Sequence, residues 1–334
     1  MNHTLLRCCA LLLLLGGGVF GVRPAHAVGI TCKVASMTPM SFGSVDPQST
    51  QTDSTATLSY TCENDGLSER TVRICFHIGE PYNGPRNPRQ MEDGSSNKLN
   101  FQLYRDAARS IVWGSAFSGS DTPLVVSLTM PGRVFLSNPI VIRSGTATMY
   151  GRVMGAQPNV MPGAYMRIYA AVDTAVTSRD RIGDEAPASC GTADPETRFP
   201  FNVSANVVNK CTVTASPLDF GTNPGLLNTA VNASTTLAVQ CSNTTPYNVG
   251  LDAGHNGGGD IGARKMVLGG NSVGYQLYRD TGRTQVWGNT IGTNTVAGTG
   301  NGNPQSLTVY GTVPPQTTPP AGTYNDVVIV TVTY

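Results

Sequence analysis

The chain carries eight cysteines, and their spacing is its first chemical signal: Cys32 and Cys62 are 30 residues apart, and so are Cys211 and Cys241. No CxxC occurs and no histidine lies close in sequence to these thiols, so they do not read as zinc ligands. An even set in an exported chain reads as disulfides. The repeated spacing pairs Cys32 with Cys62 and Cys211 with Cys241, and leaves Cys75 for Cys190. Cys8 and Cys9 fall in a leader described below.

The residue types that could catalyse do not fall in catalytic patterns. Gly270-Asn-Ser272-Val-Gly274 fits G-x-S-x-G, whose serine is a nucleophile only on a strand-to-helix elbow with a histidine nearby. A strand follows here, and beyond the leader the histidines are His77 and His255, one in each half. The acid pairs Glu92-Asp93 and Asp184-Glu185 point to opposite faces of an extended chain, which does not assemble an acid with a base. Asp180, Asp184 and Glu185 lack EF-hand spacing. The glycine runs Gly254–Gly262 and Gly298–Gly302 open no helix that could hold a phosphate. The expectation is no enzyme, no metal and no cofactor.

The elements that hold these residues begin with that leader. Arg7 precedes an apolar core from Ala10 to Val22, followed by Ala25-His26-Ala27, which reads as a cleaved secretory signal over residues 1–27. Its removal leaves 20 basic against 21 acidic residues, with no basic stripe, which argues against nucleic acid as a partner. Only 13% of the chain is charged, sparse for a surface meant to stay apart from others.

Beyond the leader the chain repeats itself. Met40-Ser-Phe42-Gly43 answers Leu218-Asp-Phe220-Gly221. Phe101-Gln-Leu-Tyr104-Arg-Asp106, continuing to Val112-Trp113-Gly114, matches Tyr275-Gln-Leu-Tyr278-Arg-Asp280, continuing to Val286-Trp287-Gly288, without a gap. Tyr150-Gly151 matches Tyr310-Gly311, and the run to Tyr165 resembles that to Tyr324. Segments such as Thr55–Cys62, Thr71–Ile78 and Thr235–Cys241 alternate with period two between Gly, Pro, Asn and Ser turns. The expected class is all-β, with two tandem immunoglobulin-like antiparallel sandwiches. Their expected extents are residues 28–208 and 209–334. The Tyr-Arg-Asp and Val-Trp-Gly blocks read as shared core and turn chemistry.

One stretch occurs once. Phe199-Pro-Phe201-Asn-Val203-Ser-Ala205-Asn-Val207-Val208 has apolar or small residues on odd positions, the period of a strand with one buried face. It follows Tyr165–Asp173 in the first copy and is expected to lie beside that segment. In the second copy only ten residues follow Tyr324 in this sequence, so its sandwich is expected to lack a last strand and to expose an apolar edge at Val328, Val330, Val332 and Tyr334. Such an edge calls for a strand from a partner chain.

The Cys…Phe-Gly…Cys opening, the Tyr-Gln-Leu-Tyr-Arg-Asp and Val-Trp-Gly block, and the Pro-x-Gly-x-Tyr-x-Asp-x-Val-x-Val-x-Val-x-Tyr run at Pro320–Tyr334 resemble the spore coat protein U domain. The resemblance is good across Asn209–Tyr334 and looser across Ile30–Val208. It implies donor-strand assembly, because family chains include subunits of archaic, Csu-like chaperone-usher pili. The implied partners are a periplasmic chaperone, an outer-membrane usher and an adjacent subunit that supplies a strand. After cleavage, Val28–Thr31 before Cys32 are too few to donate one. The resemblance therefore implies a tip adhesin exported through the periplasm to the cell surface, serving attachment and biofilm formation. The alternative is a coat or fibre-initiating protein without a ligand.

Binding is expected where the first copy is longer. Trp113 to Tyr150 exceeds Trp287 to Tyr310 by 14 residues, around Met130, Pro131, Val134, Phe135, Leu136 and Pro139. Two further loops differ in kind, one with Tyr82 and Pro85 and one with Met154, Val160 and Met161. Exposed together at the far end of the sandwich, they would form an apolar patch for hydrophobic surfaces or a host ligand. Core strands are the competing reading of Val134–Leu136 and of Ile140–Ile142.

Overall fold

The computed structural model describes residues 29–81, 84–117, 122–191 and 197–334. The expected signal and Tyr82 lie outside the described residues. Alternating apolar residues between turn-forming ones give strands throughout. In the first half these are β1 Ile30–Met37, β2 Met40–Val45, β3 Gln51–Asn64, β4 Arg70–Ile78, β5 Arg89–Glu92, β6 Lys98–Tyr104, β7 Leu124–Met130, β8 Val141–Met154, β9 Gly163–Tyr169, β10 Thr174–Ile182 and β11 Phe201–Val207. In the second they are β12 Cys211–Ala215, β13 Val231–Cys241, β14 Pro246–Leu251, β15 Lys265–Leu268, β16 Asn271–Gly274, β17 Gln276–Tyr278, β18 Val296–Thr299, β19 Gln305–Val313 and β20 Val330–Thr333.

The first half packs an eight-stranded sheet, in the order β1-β3-β8-β6-β5-β9-β11-β2, against the three strands β10-β4-β7. One core fills the space between them, with Leu58, Ile74, Phe76, Phe101, Trp113 and Val203 fully buried. The second half repeats the plan with the sheets β12-β13-β19-β17 and β18-β14-β20, a hairpin of β15 and β16, and a separate core around Val239, Val249 and Trp287.

The internal repeats mark equivalent packing. Trp113 Nε1 donates to the Phe76 carbonyl at 2.8 Å, and Trp287 Nε1 to that of Val249 at 2.9 Å. Asp106 and Asp280 each close a turn by accepting from the two amides four and five residues on. Gly151 lies under Met40 and Phe42, and Gly311 under Leu218 and Phe220. A Cβ at either glycine would come within 2.9 Å or less of those side chains, so β8 and β19 require glycine there.

All three expected disulfides are formed. Cys32 faces Cys62 across the β1·β3 ladder and Cys211 faces Cys241 across β12·β13. Cys75–Cys190 instead ties the stretch after β10 back to β4. Ser272 lies on β16 in a hairpin, not on an elbow. Asp180 is paired with Arg70 and Glu185 with Arg181.

Strand β11 closes the first sandwich. It runs antiparallel to β9, with Ala205 opposite Tyr165, and parallel to β2, with Val203 opposite Met40. The parallel pair departs from an all-antiparallel sandwich and arises because β9 and β2 run in opposite directions, so a strand between them is parallel to one of the two. Phe201, Val203, Ala205 and Val207 point into the core while Asn202 and Asn206 face solvent. Phe201 stacks on Tyr169 at 4.6 Å between centroids, and Phe199 packs edge-on to Phe76. Each of the larger side chains contributes about 1.5–3 kcal/mol by leaving water.

Candidate functional site

The place that β11 takes in the first half is open in the second. Leu218–Gly221, the counterpart of β2, and Thr323–Val328, the counterpart of β9, have no ladder between them. They flank a groove with a cavity of about 1290 Å³, floored by Leu237, Leu251, Val273, Leu277, Val309 and Val313. Phe220 packs against Tyr275 on one wall, while Val328 and Val330 line the other. The exposed apolar edge expected from the sequence is therefore a two-walled groove, and its Leu218–Phe220 wall escaped sequence reasoning. The repeat of Phe42 at Phe220 was the signal that could have marked it.

The expected edge residues divide. Val328 and Val330 line the groove. Val332 pairs with Val249 in the β14·β20 ladder, and Tyr334 lies beyond it, half exposed, so neither borders the groove. The closing segment is also not one long strand. Only Val330–Thr333 is extended in a sheet, and Val327 and Ile329 turn to solvent. In the first half a short 3-10 turn, Ala171–Asp173, separates β9 from β10 at the matching point, where the chain crosses between sheets.

Beneath the groove lies a buried arginine that the repeat pattern did not bring out. Arg264 donates to the Leu251, Asp252 and Trp287 carbonyls and to Gln276 Oε1. Arg89 occupies the same place in the first half, donating to Gln102 Oε1 and the Trp113 carbonyl and pairing with Glu80 at 3.0 Å. Both side chains are fully buried. The arginine stands 13 residues before its glutamine in one copy and 12 in the other. That one-residue difference in the hairpin hid the match.

The expected binding loops do not gather at one end. Val134, Phe135 and Leu136 are 77%, 66% and 65% exposed, and Ile140 and Ile142 are exposed too. No strand contains Val134–Leu136, and β8 begins at Val141. The loop is braced from within: Arg133 donates to the Asp65 and Leu136 carbonyls, and its own amide to that of Gly66 at 2.8 Å. Buried Asn64 holds the Pro131 carbonyl at 3.0 Å. Pro131 and Pro139 are exposed at its base, whereas Met130 is fully buried at the end of β7 and belongs to the core.

Met154 and Met161 lie at the other end of β8. Across the β3·β8 ladder Val141 faces Asn64 and Met154 faces Gln51, so the long strand separates the two loops by its full length. Val160 is 7% exposed and packs in the core. Asn243 donates to the Asn159 carbonyl at 2.9 Å, so this loop touches the second half of the chain. Pro85 is exposed in a loop that follows the Ile78 end of β4, opposite the Arg70 end where β7 delivers Met130. One apolar loop, not three, stands at the far end.

His77 lies on the outer face of β4 under Phe117. The Ala116 amide donates to Nδ1 at 3.2 Å, so Nε2 carries the proton and donates to Thr177 Oγ1 at 3.0 Å. Burial pushes its pKa from the ordinary 6.5 down to about 4. The unfolded chain therefore binds a proton that the folded one refuses between these values. Stability that is complete above pH 6.5 is lost as pH falls toward 4, by up to about 3 kcal/mol. Thermal melts of the full chain across that window are expected to show this loss, and His77→Gln is expected to flatten it.

Comparison with known proteins places the sequence. The family model described as Spore Coat Protein U domain matches residues 18–169 and 197–331. Protein U of Myxococcus xanthus is 34% identical over 175 residues, which cover 48% of this chain and 95% of that protein. The fold is similar to a chain of the CsuC-CsuE chaperone-tip adhesion subunit pre-assembly complex from archaic chaperone-usher Csu pili of Acinetobacter baumannii. That match has a TM-score of 0.51 at 16% identity and covers 91% of this chain and 100% of that one. Two matched regions, together spanning most of the chain, show that it belongs to the Spore Coat Protein U domain family.

Proposed function

We propose that this chain is the tip adhesin of an archaic chaperone-usher pilus, with residues 28–208 as the binding head and 209–334 as an incomplete pilin domain. The observation that carries the reading is the groove between Leu218–Gly221 and Thr323–Val328, where the first domain holds β11. A periplasmic chaperone fills it first, and the strand of the adjacent subunit replaces the chaperone at the outer-membrane usher. The likeness in fold to a Csu chaperone–subunit complex supports this role. Residues 1–27 direct export and are removed. The mature protein then stands at the pilus tip on the cell surface. No catalysis and no cofactor enter the role.

Attachment falls to Val134, Phe135 and Leu136, three successive exposed apolar side chains on a braced loop. Their chemistry fits hydrophobic surfaces or an apolar host ligand, and many tips on one cell turn weak contacts into firm adhesion and biofilm. Replacing Val134 and Phe135 with Ser is expected to reduce attachment of piliated cells to polystyrene roughly tenfold or more, from about 1.5–3 kcal/mol per side chain. Piliation and melting temperature are expected to stay unchanged. Normal adhesion by such cells would remove the binding role from this loop and favour the second reading, a coat or fibre-initiating protein, for which the relatedness to Protein U speaks.

A further inference from the structure

The Thr323–Val328 wall is held in place although its ladder is almost absent. A single bridge joins Asn325 to Val267, and the edge facing the groove pairs with nothing among the described residues. Side chains, with two loop amides, do the work that a neighbouring strand does elsewhere. Asp326 Oδ2 accepts from the Tyr275 hydroxyl at 2.7 Å, and Oδ1 accepts from Asn256 Nδ2 at 2.9 Å and from its amide at 3.3 Å. The His255 amide donates to the Val327 carbonyl at 2.9 Å. Gly254, at φ +73°, makes room for the carboxylate: a Cβ there would sit 2.1 Å from Asp326 Oδ2. Burial, and then the bond to Asp326, push the Tyr275 phenol up, so it keeps the proton it donates.

The first domain lacks this device. By the ungapped repeat its equivalent of Tyr275 is Phe101, which has no hydroxyl. Counting from Tyr165 and Tyr324, its equivalent of Asp326 is Arg167, which turns instead to Glu80 Oε1 at 3.1 Å and the Pro81 carbonyl at 2.7 Å. That domain has β11 in place. The phenol–carboxylate pair is thus found in the copy whose groove is open among the described residues.

We propose that Tyr275 and Asp326 form a latch that keeps this wall in position while the groove is empty, so that an incoming strand adds to a preformed edge. Without the latch the strand must order the wall as it binds, and that loss of conformational freedom is charged against capture. Both are positioning residues. The inference rests on reading the groove as a strand acceptor. In the filled state the new ladder also holds the wall, so the latch acts mainly on the rate of entry.

The probe is a fluorescent peptide with the sequence of Phe199–Val208, the strand that completes the first domain, mixed with the full chain and followed by anisotropy. Tyr275→Phe and Asp326→Asn are each expected to slow association about tenfold or more and to leave dissociation within about twofold. Gly254→Ala, which displaces the carboxylate, is expected to do the same. Association at the native rate in both Tyr275→Phe and Asp326→Asn overturns the latch. So does an equal change in both rate constants, which would mark a general loss of stability. A native chain that captures no peptide overturns the acceptor reading itself, and the latch with it.

Discussion

Residues 209–334 expressed alone are expected to aggregate or melt near room temperature, and a fused strand patterned on Phe201–Val207 is expected to return a soluble monomer. The physical cause is the groove: Leu237, Leu251, Leu277 and Val309 lie at its floor, and both walls present backbone without a ladder. An unpaired apolar edge of this kind pairs with whatever strand it meets. The three larger of the alternate apolar side chains, at about 1.5–3 kcal/mol each, are comparable with the ordinary net stability of a domain of this size, so the gain on filling should be large. Size-exclusion chromatography and thermal melting of the two forms measure it. A stable monomer without any added strand would show that the groove closes by itself, and the acceptor reading would then be wrong.

Val203→Asp is expected to unfold the first domain. Val203 is fully buried between β9 and β2, and the cation opposite it on β9, Arg167, is already committed to Glu80 and the Pro81 carbonyl. Burying an unpaired charge costs on the order of 4–5 kcal/mol or more, enough to exhaust the stability of a typical domain. Asn202→Asp, one residue earlier on the solvent face of the same strand, is expected to change the melting temperature little. The contrast between adjacent positions tests whether β11 is the closing strand and not a peripheral one. Similar effects from both substitutions would refute the register given for it.

Much of the fold could be read from residue order. The 30-residue cysteine spacing repeats because in each copy the two cysteines face each other across neighbouring strands and the same length of chain, β2 or its counterpart Leu218–Gly221 included, joins those strands. The alternation of Phe201, Val203, Ala205 and Val207 names its own buried face, since successive strand side chains point to opposite sides. The exposed loop at Val134–Leu136 announced itself as extra length with apolar content. The repeat pointed to the open place in the second half, because one copy supplies the template for the other.

The remainder depended on which strands meet. Met154 and Val134 both lie in stretches peculiar to the first copy, yet a strand of 14 residues carries them to opposite ends of the sheet. Val160 and Met130 look like loop residues in sequence but drop into the core where their strands begin or end. Arg89 and Arg264 are charged residues whose burial is repaid by carbonyls and glutamines drawn from distant segments, a convergence that no local pattern records. The second wall of the groove, at Leu218–Phe220, lies about 100 residues from the first along the chain. Alternation and spacing fix what a segment can do with its neighbours in sequence, whereas a groove is made by segments that become neighbours only when two sheets close over one core.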